Sequence, residues 1–237
     1  MTLGINNDLK CKTPLTVLSI ISLIFAVIGS IRYFIYYEYH LSDGNIHTEL
    51  TASFPNISEL LLFVFEFAPA VLMFLYIVFF YKRYKASALV SIACGLMALY
   101  PVIRNINSII RYLDSELFSQ SVFTKYFTND YIIDFISNIV IDLAIIVACI
   151  FLTVSALKGF HKKVYAIVAV AIGILAKIFS LLMSFKLFGN YIKYETYLHF
   201  TYPVAIIGAI SLYVTILLLA LNNEVPALMS TKQKTKS

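Results

Sequence analysis

Three ionisable side chains lie deep inside apolar stretches of this sequence: Glu66, Asp142 and Lys177. An ionisable group near the centre of a membrane helix costs at least about 2.5–3.5 kcal/mol, so each needs a partner or a purpose. Such groups bind ions or charged solutes, or carry protons. Counting about 1.5 Å per helical residue from the outer end of each helix places all three roughly 10–13 Å below one membrane surface. We therefore expect them to meet in one polar pocket.

Asn138 belongs to the same candidate binding site. It lies one helical turn before Asp142, in a polar stripe that also contains Asp134, Cys149 and Thr153 on an otherwise apolar helix. We expect this stripe to face the protein interior, because lipid would leave its hydrogen-bonding groups unsatisfied.

Arg32 completes the candidate site from the first apolar stretch. Arg32 and Arg104 are both expected near the outer ends of their helices, where a long side chain can extend to the membrane surface. Neither is expected to need a buried partner. The pocket then holds two carboxylates, Glu66 and Asp142, against one ammonium group, Lys177.

This charge count predicts that one acid holds a proton near neutral pH, or binds a cation or cationic group, since a single pairing cannot neutralise all three residues. The alternative is structural. A lysine–carboxylate pair beside a protonated acid would then only fix how the helices pack.

Membrane helices must position these residues. The sequence is 60% hydrophobic and 13% charged, about half the charged fraction of an ordinary soluble domain. A helix needs about 20 apolar residues to cross a bilayer. Stretches of that length lie near residues 14–37, 59–81, 86–104, 134–157, 164–186 and 201–221. The prediction is an all-α, polytopic membrane protein with six transmembrane helices in three hairpins.

Positive charge indicates the orientation, because segments rich in Lys and Arg stay on the cytoplasmic side. Such residues gather at the N-terminus, on alternate connections and in the tail: Lys10, Lys12, Lys82, Arg83, Lys85, Lys158, Lys162, Lys163, Lys232, Lys234 and Lys236. We expect a plasma-membrane protein with a cytoplasmic N-terminal segment (1–13), a transmembrane domain (14–221) and a basic cytoplasmic tail (222–237). The basic residues are scattered over short segments, which favours anionic lipid over nucleic acid as their partner.

Small residues recur on the first, third and fifth predicted helices at offsets 0, 3, 7 and 10. The sets are Ser19, Ser22, Ala26 and Gly29; Ala88, Ser91, Gly95 and Ala98; and Ala166, Ala169, Gly173 and Ala176. These offsets fall on one helix face, where small residues let backbones approach closely. We expect these odd-numbered helices to form a tight seam with one another.

Irregular backbone is expected at the outer side of the membrane. Pro69, Pro101 and Pro203 should kink the outer halves of their helices, which can open a vestibule. The first outer loop contains Gly44 and Asn45 and is expected to be flexible.

The sequence lacks the motifs G-x-S-x-G and H-E-x-x-H, a P-loop and paired C-x-x-C. We therefore expect no catalytic residues, no metal site and no cofactor. The leading hypothesis is binding or transport of a small solute through a polar cavity in the outer half of the bundle, with the lipid bilayer and a small solute or proton as partners. The alternative is an accessory or immunity protein that contacts a membrane protein through its helices, and an intramembrane enzyme acting on lipid is a third hypothesis.

In its general layout of six spans, both ends inside and a small-residue first helix, the chain resembles the substrate-binding subunits of energy-coupled vitamin transporters. The resemblance concerns layout and extends to no sequence motif.

Overall fold

Six long helices form the body of the protein. The computed structural model describes residues 3–42, 45–52, 57–114, 129–188 and 196–229. The helices are α1 (Leu3–Ser30), α2 (Ile57–Phe79), α3 (Ala88–Asp114), α4 (Asn129–Leu157), α5 (Lys163–Phe188) and α6 (Thr196–Leu221). Each contains a stretch long and apolar enough to cross a membrane. The six-helix prediction is confirmed, and the chain has the build of a multi-pass membrane protein.

The six helices close into a ring in chain order. Each packs against its neighbours in the sequence, and α1 completes the ring through the most extensive helix contact of all, with α6. No comparable contact within the described residues joins α1, α3 and α5 to one another. The predicted seam among the odd-numbered helices is therefore wrong. A stripe of small residues shows that a helix face is closely packed, but it does not identify the helix that packs on it.

The small residues of α1 pack against α6 instead. A Cβ atom on Gly29 would lie 2.6 Å from the Cβ of Ala205, and one on Gly208 would lie 3.0 Å from the Cβ of Phe25. The Ser22 hydroxyl donates a hydrogen bond to the carbonyl oxygen of Gly208 at 3.1 Å. Small residues on both helices thus allow the backbones of α1 and α6 to approach each other closely.

A β-hairpin follows α1, where a flexible loop was expected. Strand β1 (Ile35–Ser42) pairs antiparallel with β2 (Asn45–Ala52), so that Ser42 lies opposite Asn45. The two residues between the strands are Asp43 and Gly44, and Asp-Gly is a strong sequence signal for a hairpin. The expectation of a flexible loop gave too little weight to this signal and to the aromatic and β-branched residues around it. We call this end of the bundle the hairpin end.

At the opposite end, the segment after α6 folds back onto the bundle. The backbone N–H groups of Leu228 and Met229 both donate to the carbonyl oxygen of Leu157, at 2.9 and 3.0 Å. Lys82 Nζ lies 3.0 Å from a carboxylate oxygen of Glu224. The Lys-rich connections after α2 and α4 and residues 222–229 therefore meet at one place, which we call the basic end.

Candidate functional site

A cavity lies inside the ring, and all six helices contribute to its wall. About 80 Å³ is open to the centres of water-sized molecules, which is room for several waters at roughly 10–15 Å³ each. Polar and charged groups in its wall are Ser22, Glu66, Tyr100, Arg104, Lys177, Ser180 and Tyr213. Aliphatic and aromatic side chains supply the remainder. The structure thus brings Glu66 and Lys177, two of the predicted site residues, to one cavity.

Glu66 is held by a tyrosine from the end of the first helix. A short 3-10 turn (Ile31–Tyr33) follows α1 and places the Tyr33 hydroxyl 2.6 Å from Glu66 Oε2. A hydroxyl that donates to a carboxylate at this distance makes a strong, charge-assisted hydrogen bond. The same hydroxyl lies 3.2 Å from that of Tyr100 on α3. Glu66, Tyr33 and Tyr100 therefore form a continuous polar chain across three helices.

Lys177 lies over the ring of Tyr100. Its Nζ atom lies 5.8 Å from the centroid of the Tyr100 ring, within the range of a cation–π interaction. Tyr100 therefore directs its hydroxyl toward the tyrosine that binds Glu66 and presents its ring to Lys177. Tyr33 thus contacts the carboxylate and Tyr100 contacts the ammonium group, and Glu66, Tyr100 and Lys177 line the same cavity.

Asp142 is buried behind the wall, with 1% of its side chain exposed, and Arg104 binds it. Arg104 Nε donates to Oδ2 at 3.2 Å, and Nη2 donates to Oδ1. Two N–H groups from one guanidinium fix both the position and the orientation of the carboxylate. Arg104 itself lines the cavity, so Asp142 borders on the site through Arg104.

The prediction that Arg104 needs no buried partner is wrong. The prediction failed because it ended the third span at residue 104. In the structure α3 continues to Asp114, and its apolar stretch continues to Asn107. The guanidinium therefore stays inside the bundle.

The fourth charged group changes the charge count of the site. Glu66 and Asp142 supply two negative charges, and Lys177 and Arg104 supply two positive charges. Among the charged side chains that the structure describes at the site, acids and bases are therefore equal in number, and these four groups alone give no reason to expect a protonated acid or a bound cation.

The polar stripe on α4 faces inward only in part. Asp142 and Cys149 are buried, as expected, but Asn138 is exposed on the surface of the bundle. The apolar stretch of α4 begins at Ser137, so Asn138 lies at its edge, where an amide does not have to be buried. The side chain of Arg32 lies outside the described part of the chain, as does that of Asp134.

Sequence reasoning missed the tyrosines of the site. Tyr33, Tyr100 and Tyr213 were not among the predicted site residues. The Tyr213 hydroxyl lies 3.3 Å from Cys149 Sγ, and its ring packs so closely on α5 that a Cβ on Gly173 would lie 2.5 Å from it. The available signal was the tyrosine hydroxyl itself, which needs a partner when it is buried.

Tyr213 also marks where the cavity gives way to a packed core. Farther along α2, α4 and α6 toward the basic end, Ile77, Leu152 and Ile216 are fully buried. The polar cavity therefore occupies the part of the ring nearer the hairpin end.

Fold and cavity define a six-helix membrane protein with a charged central pocket. No family model, curated protein or solved structure matches the chain. The argument for function therefore starts from the cavity.

Proposed function

We propose that this protein binds a small polar solute in its central cavity and transports it across the plasma membrane. The observation that supports this proposal is that Glu66 and Lys177, which carry opposite charges, line one cavity surrounded by six membrane helices. Concave sites with mostly apolar walls and a few convergent polar groups are typical of small-molecule binding. A purely structural ion pair would need no such space beside it.

The packing along the ring suggests a direction of access. Fully buried side chains fill the bundle between the cavity and the basic end. We therefore place solute entry at the hairpin end in the conformation described. Release at the basic end would require the helices to move apart around Leu152 and Ile216.

The same proposal assigns an orientation. Lys82, Arg83, Lys158 and Lys162 lie on the connections at the basic end, and Lys163 begins α5 there; positively charged connections remain in the cytoplasm. A fluorescent protein that matures only in the cytoplasm, fused after Ser237, should therefore fluoresce. A dark fusion, together with activity of an alkaline phosphatase fused at the same place, would reverse the orientation.

The alternative of an accessory protein requires a helix face open to a membrane partner, and small-residue faces are candidates because they allow close helix contact. On α1 and α5 these faces are occupied inside the bundle, because Gly29 contacts Ala205 and Gly173 contacts Tyr213. A partner would have to use another surface. On α3, in contrast, a Cβ on Gly95 would meet no atom within 4 Å, so the accessory alternative keeps an open small-residue face there and is tested together with solute binding.

Native mass spectrometry of the gently solubilised protein tests the proposal. Ala209 lines the cavity, whereas Ile207 on the same helix is 43% exposed on the outside of the bundle. The wild-type protein and Ile207→Phe should retain a small molecule, and Ala209→Phe should lose it, because the added ring fills the cavity. Equal retention by both variants would place the molecule elsewhere. A retained protein subunit, with no small molecule, would support the accessory alternative instead.

A further inference from the structure

A second concave surface lies on the outside of the bundle, where α1 meets α2. We call it the α1–α2 groove, and the described residues of its wall are Val27, Ser30, Ile31, Phe34, Phe63 and Phe67. About 210 Å³ of it is open to the centres of water-sized molecules, whereas an engineered cavity of about 150 Å³ holds one benzene molecule. The groove therefore has room for a hydrocarbon group of several carbon atoms.

The described wall of the groove is apolar. Its one polar residue is Ser30, whose hydroxyl donates a hydrogen bond to the carbonyl oxygen of Ala26 within α1. The other five residues are aromatic or branched aliphatic. A water molecule needs about two to four polar partners, which this wall does not supply. The occupant that suits the wall is therefore a hydrocarbon.

Aromatic contacts fix the shape of this wall. The ring of Phe63 stacks on Phe67, with centroids 5.6 Å apart, and meets the ring of Phe34 edge-on at 5.4 Å. On its other contact Phe63 meets the ring of Tyr33 at 6.5 Å, and the Tyr33 hydroxyl is bound to Glu66. A wall that is already ordered loses little conformational entropy when a ligand binds.

The groove continues the surface that α1 presents to the lipid. Exposed apolar side chains recur along this surface at intervals of three and four residues: Val17, Ile20, Ile24, Val27, Ile31 and Phe34. The first four lie within the apolar stretch of α1, which ends at Ser30. On α2, the exposed Leu60 and Val64 flank Phe63. A lipid chain that lies along α1 therefore reaches the groove at the hairpin end.

A helix of a partner protein suits this wall less well than a lipid chain does. Helices that associate in membranes use Gly, Ala and Ser to bring their backbones close together. The groove instead has three Phe, one Ile and one Val beside its single Ser. Large side chains around a concave surface offer dispersion contacts on several sides of a flexible chain.

We propose that the α1–α2 groove binds one acyl chain of a membrane phospholipid, from the leaflet on the hairpin side, and retains it when the surrounding lipid is removed. The inference does not depend on the proposed function, because the groove and the central cavity share no described wall residue.

A single tryptophan can report on the bound chain, because the sequence contains no Trp. Phe34→Trp places this reporter in the groove wall. Phe179→Trp places it on the exposed surface of α5, near the same end of the bundle and outside the groove. Both variants are reconstituted in vesicles of phosphatidylcholine with brominated acyl chains, which quench tryptophan on contact. They are then extracted into detergent and separated from unbound lipid.

Both reporters should be quenched in the vesicles, since both face lipid. After extraction, Phe34→Trp should stay about twofold dimmer than the same variant from unbrominated lipid, because a retained chain lies within about 4.0–4.5 Å of the ring. Phe179→Trp should recover its full fluorescence. Full recovery of both reporters, equal retained quenching of both, or an unquenched Phe34→Trp in the vesicles would each overturn the inference.

A larger side chain in the groove should displace the lipid chain. Val27 lines the groove and is 48% exposed, so Val27→Phe fills the groove without entering the core. Combined with Phe34→Trp, it should abolish the retained quenching. Ile24→Phe, about one turn earlier on the same exposed surface and outside the groove, is the matched control and should leave the quenching unchanged. Equal effects of the two substitutions would contradict the assignment to the groove.

Native mass spectrometry identifies the occupant and separates this inference from the proposed function. The wild-type protein and Ala209→Phe should both carry one phospholipid, and Val27→Phe should lose it. Loss of the phospholipid from Ala209→Phe instead would place it in the central cavity, and a protein subunit lost from Val27→Phe would identify a protein occupant. Either result would overturn the inference. If Val27→Phe fails to fold, as judged by size exclusion, Val27→Leu replaces it, with partial loss expected.

Discussion

Arg104 holds the carboxylate of Asp142 with two N–H groups, one from Nε and one from Nη2. The two residues differ in their access to the cavity. Asp142 has 1% of its side chain exposed, whereas Arg104 has 28% and forms part of the cavity wall. Loss of the arginine would leave a buried negative charge, whereas loss of the aspartate would leave a cation that can turn toward the cavity.

Arg104→Met should therefore destabilise the protein more than Asp142→Asn does. Removing one member of a buried ion pair typically costs about 3–5 kcal/mol, because the other charge remains uncompensated. We expect Arg104→Met to fall in that range and Asp142→Asn to cost about half as much, since asparagine still accepts a hydrogen bond. Denaturant unfolding in detergent measures both.

The double variant Arg104→Met with Asp142→Asn serves as the control for this pair. It should be more stable than Arg104→Met alone, because the buried charge has been removed. Strict additivity of the two single effects would mean that the pair is not coupled, contrary to the geometry.

The sequence predicted the charged residues of the site that lie well inside an apolar stretch. Glu66, Asp142 and Lys177 are recognisable because such residues are rare in membrane helices and costly there. Arg104 has the same chemistry but was assigned to a helix end, and helix ends are the least certain feature of any sequence-based prediction. An error of a few residues in one boundary thus changed the charge count of the described part of the site.

Helix partners could not be predicted in the same way. The pattern of Ser22, Ala26 and Gly29 gives the buried face of α1, but its partner, α6, lies about 180 residues away in the chain. Periodicity reports which face is buried, whereas the closure of the ring depends on the packing of all six helices together.

Tyr100 contributes a hydroxyl and a ring to different neighbours, and two substitutions separate these contributions. Tyr100→Phe should cost about 1 kcal/mol, because it removes the hydroxyl near Tyr33 and keeps the ring beside Lys177. Tyr100→Leu should cost about 1–2 kcal/mol more, because the cation–π interaction and the ring packing are also lost. Thermal unfolding monitored by tyrosine fluorescence compares the two.

Tyr165 provides a matched surface control, since its ring lies 5.6 Å from Lys162 Nζ and the residue is 51% exposed. Tyr165→Leu should change stability by no more than about 0.5–1 kcal/mol, because exposed cation–π pairs contribute little. If Tyr100→Leu costs as little as Tyr165→Leu, the half-buried contact between Tyr100 and Lys177 contributes no more to stability than an exposed one.

The glycines of α1 and α3 should respond oppositely to one added methyl group. A Cβ at Gly29 would lie 2.6 Å from the Cβ and 2.9 Å from the Cα of Ala205, whereas a Cβ at Gly95 meets no atom within 4 Å. Gly29→Ala should force α1 and α6 apart and cost about 1–3 kcal/mol. Gly95→Ala should be neutral or stabilise by up to about 1 kcal/mol through helix propensity. Parallel unfolding curves check both, and a comparable loss in Gly95→Ala would show that α3 is packed more tightly than described.

The segment after α6 depends on a buried acid. The side chain of Glu224 has 6% of its surface exposed and pairs with Lys82, and its carbonyl oxygen accepts a hydrogen bond from the Tyr76 hydroxyl at 2.7 Å. Lys82→Gln should leave the carboxylate without its cation and cost about 1–3 kcal/mol. Residues 222–229 should then detach more often and be cut faster by an added protease.

Lys85→Gln is the matched control for this prediction, because it removes the same charge from the same exposed connection without touching Glu224. Its proteolysis rate should equal that of the wild type. The double variant Lys82→Gln with Glu224→Gln should recover part of the lost stability, since it leaves no buried charge. Equal proteolysis of Lys82→Gln and Lys85→Gln would show that backbone hydrogen bonds to Leu157 hold the segment without help from the ion pair.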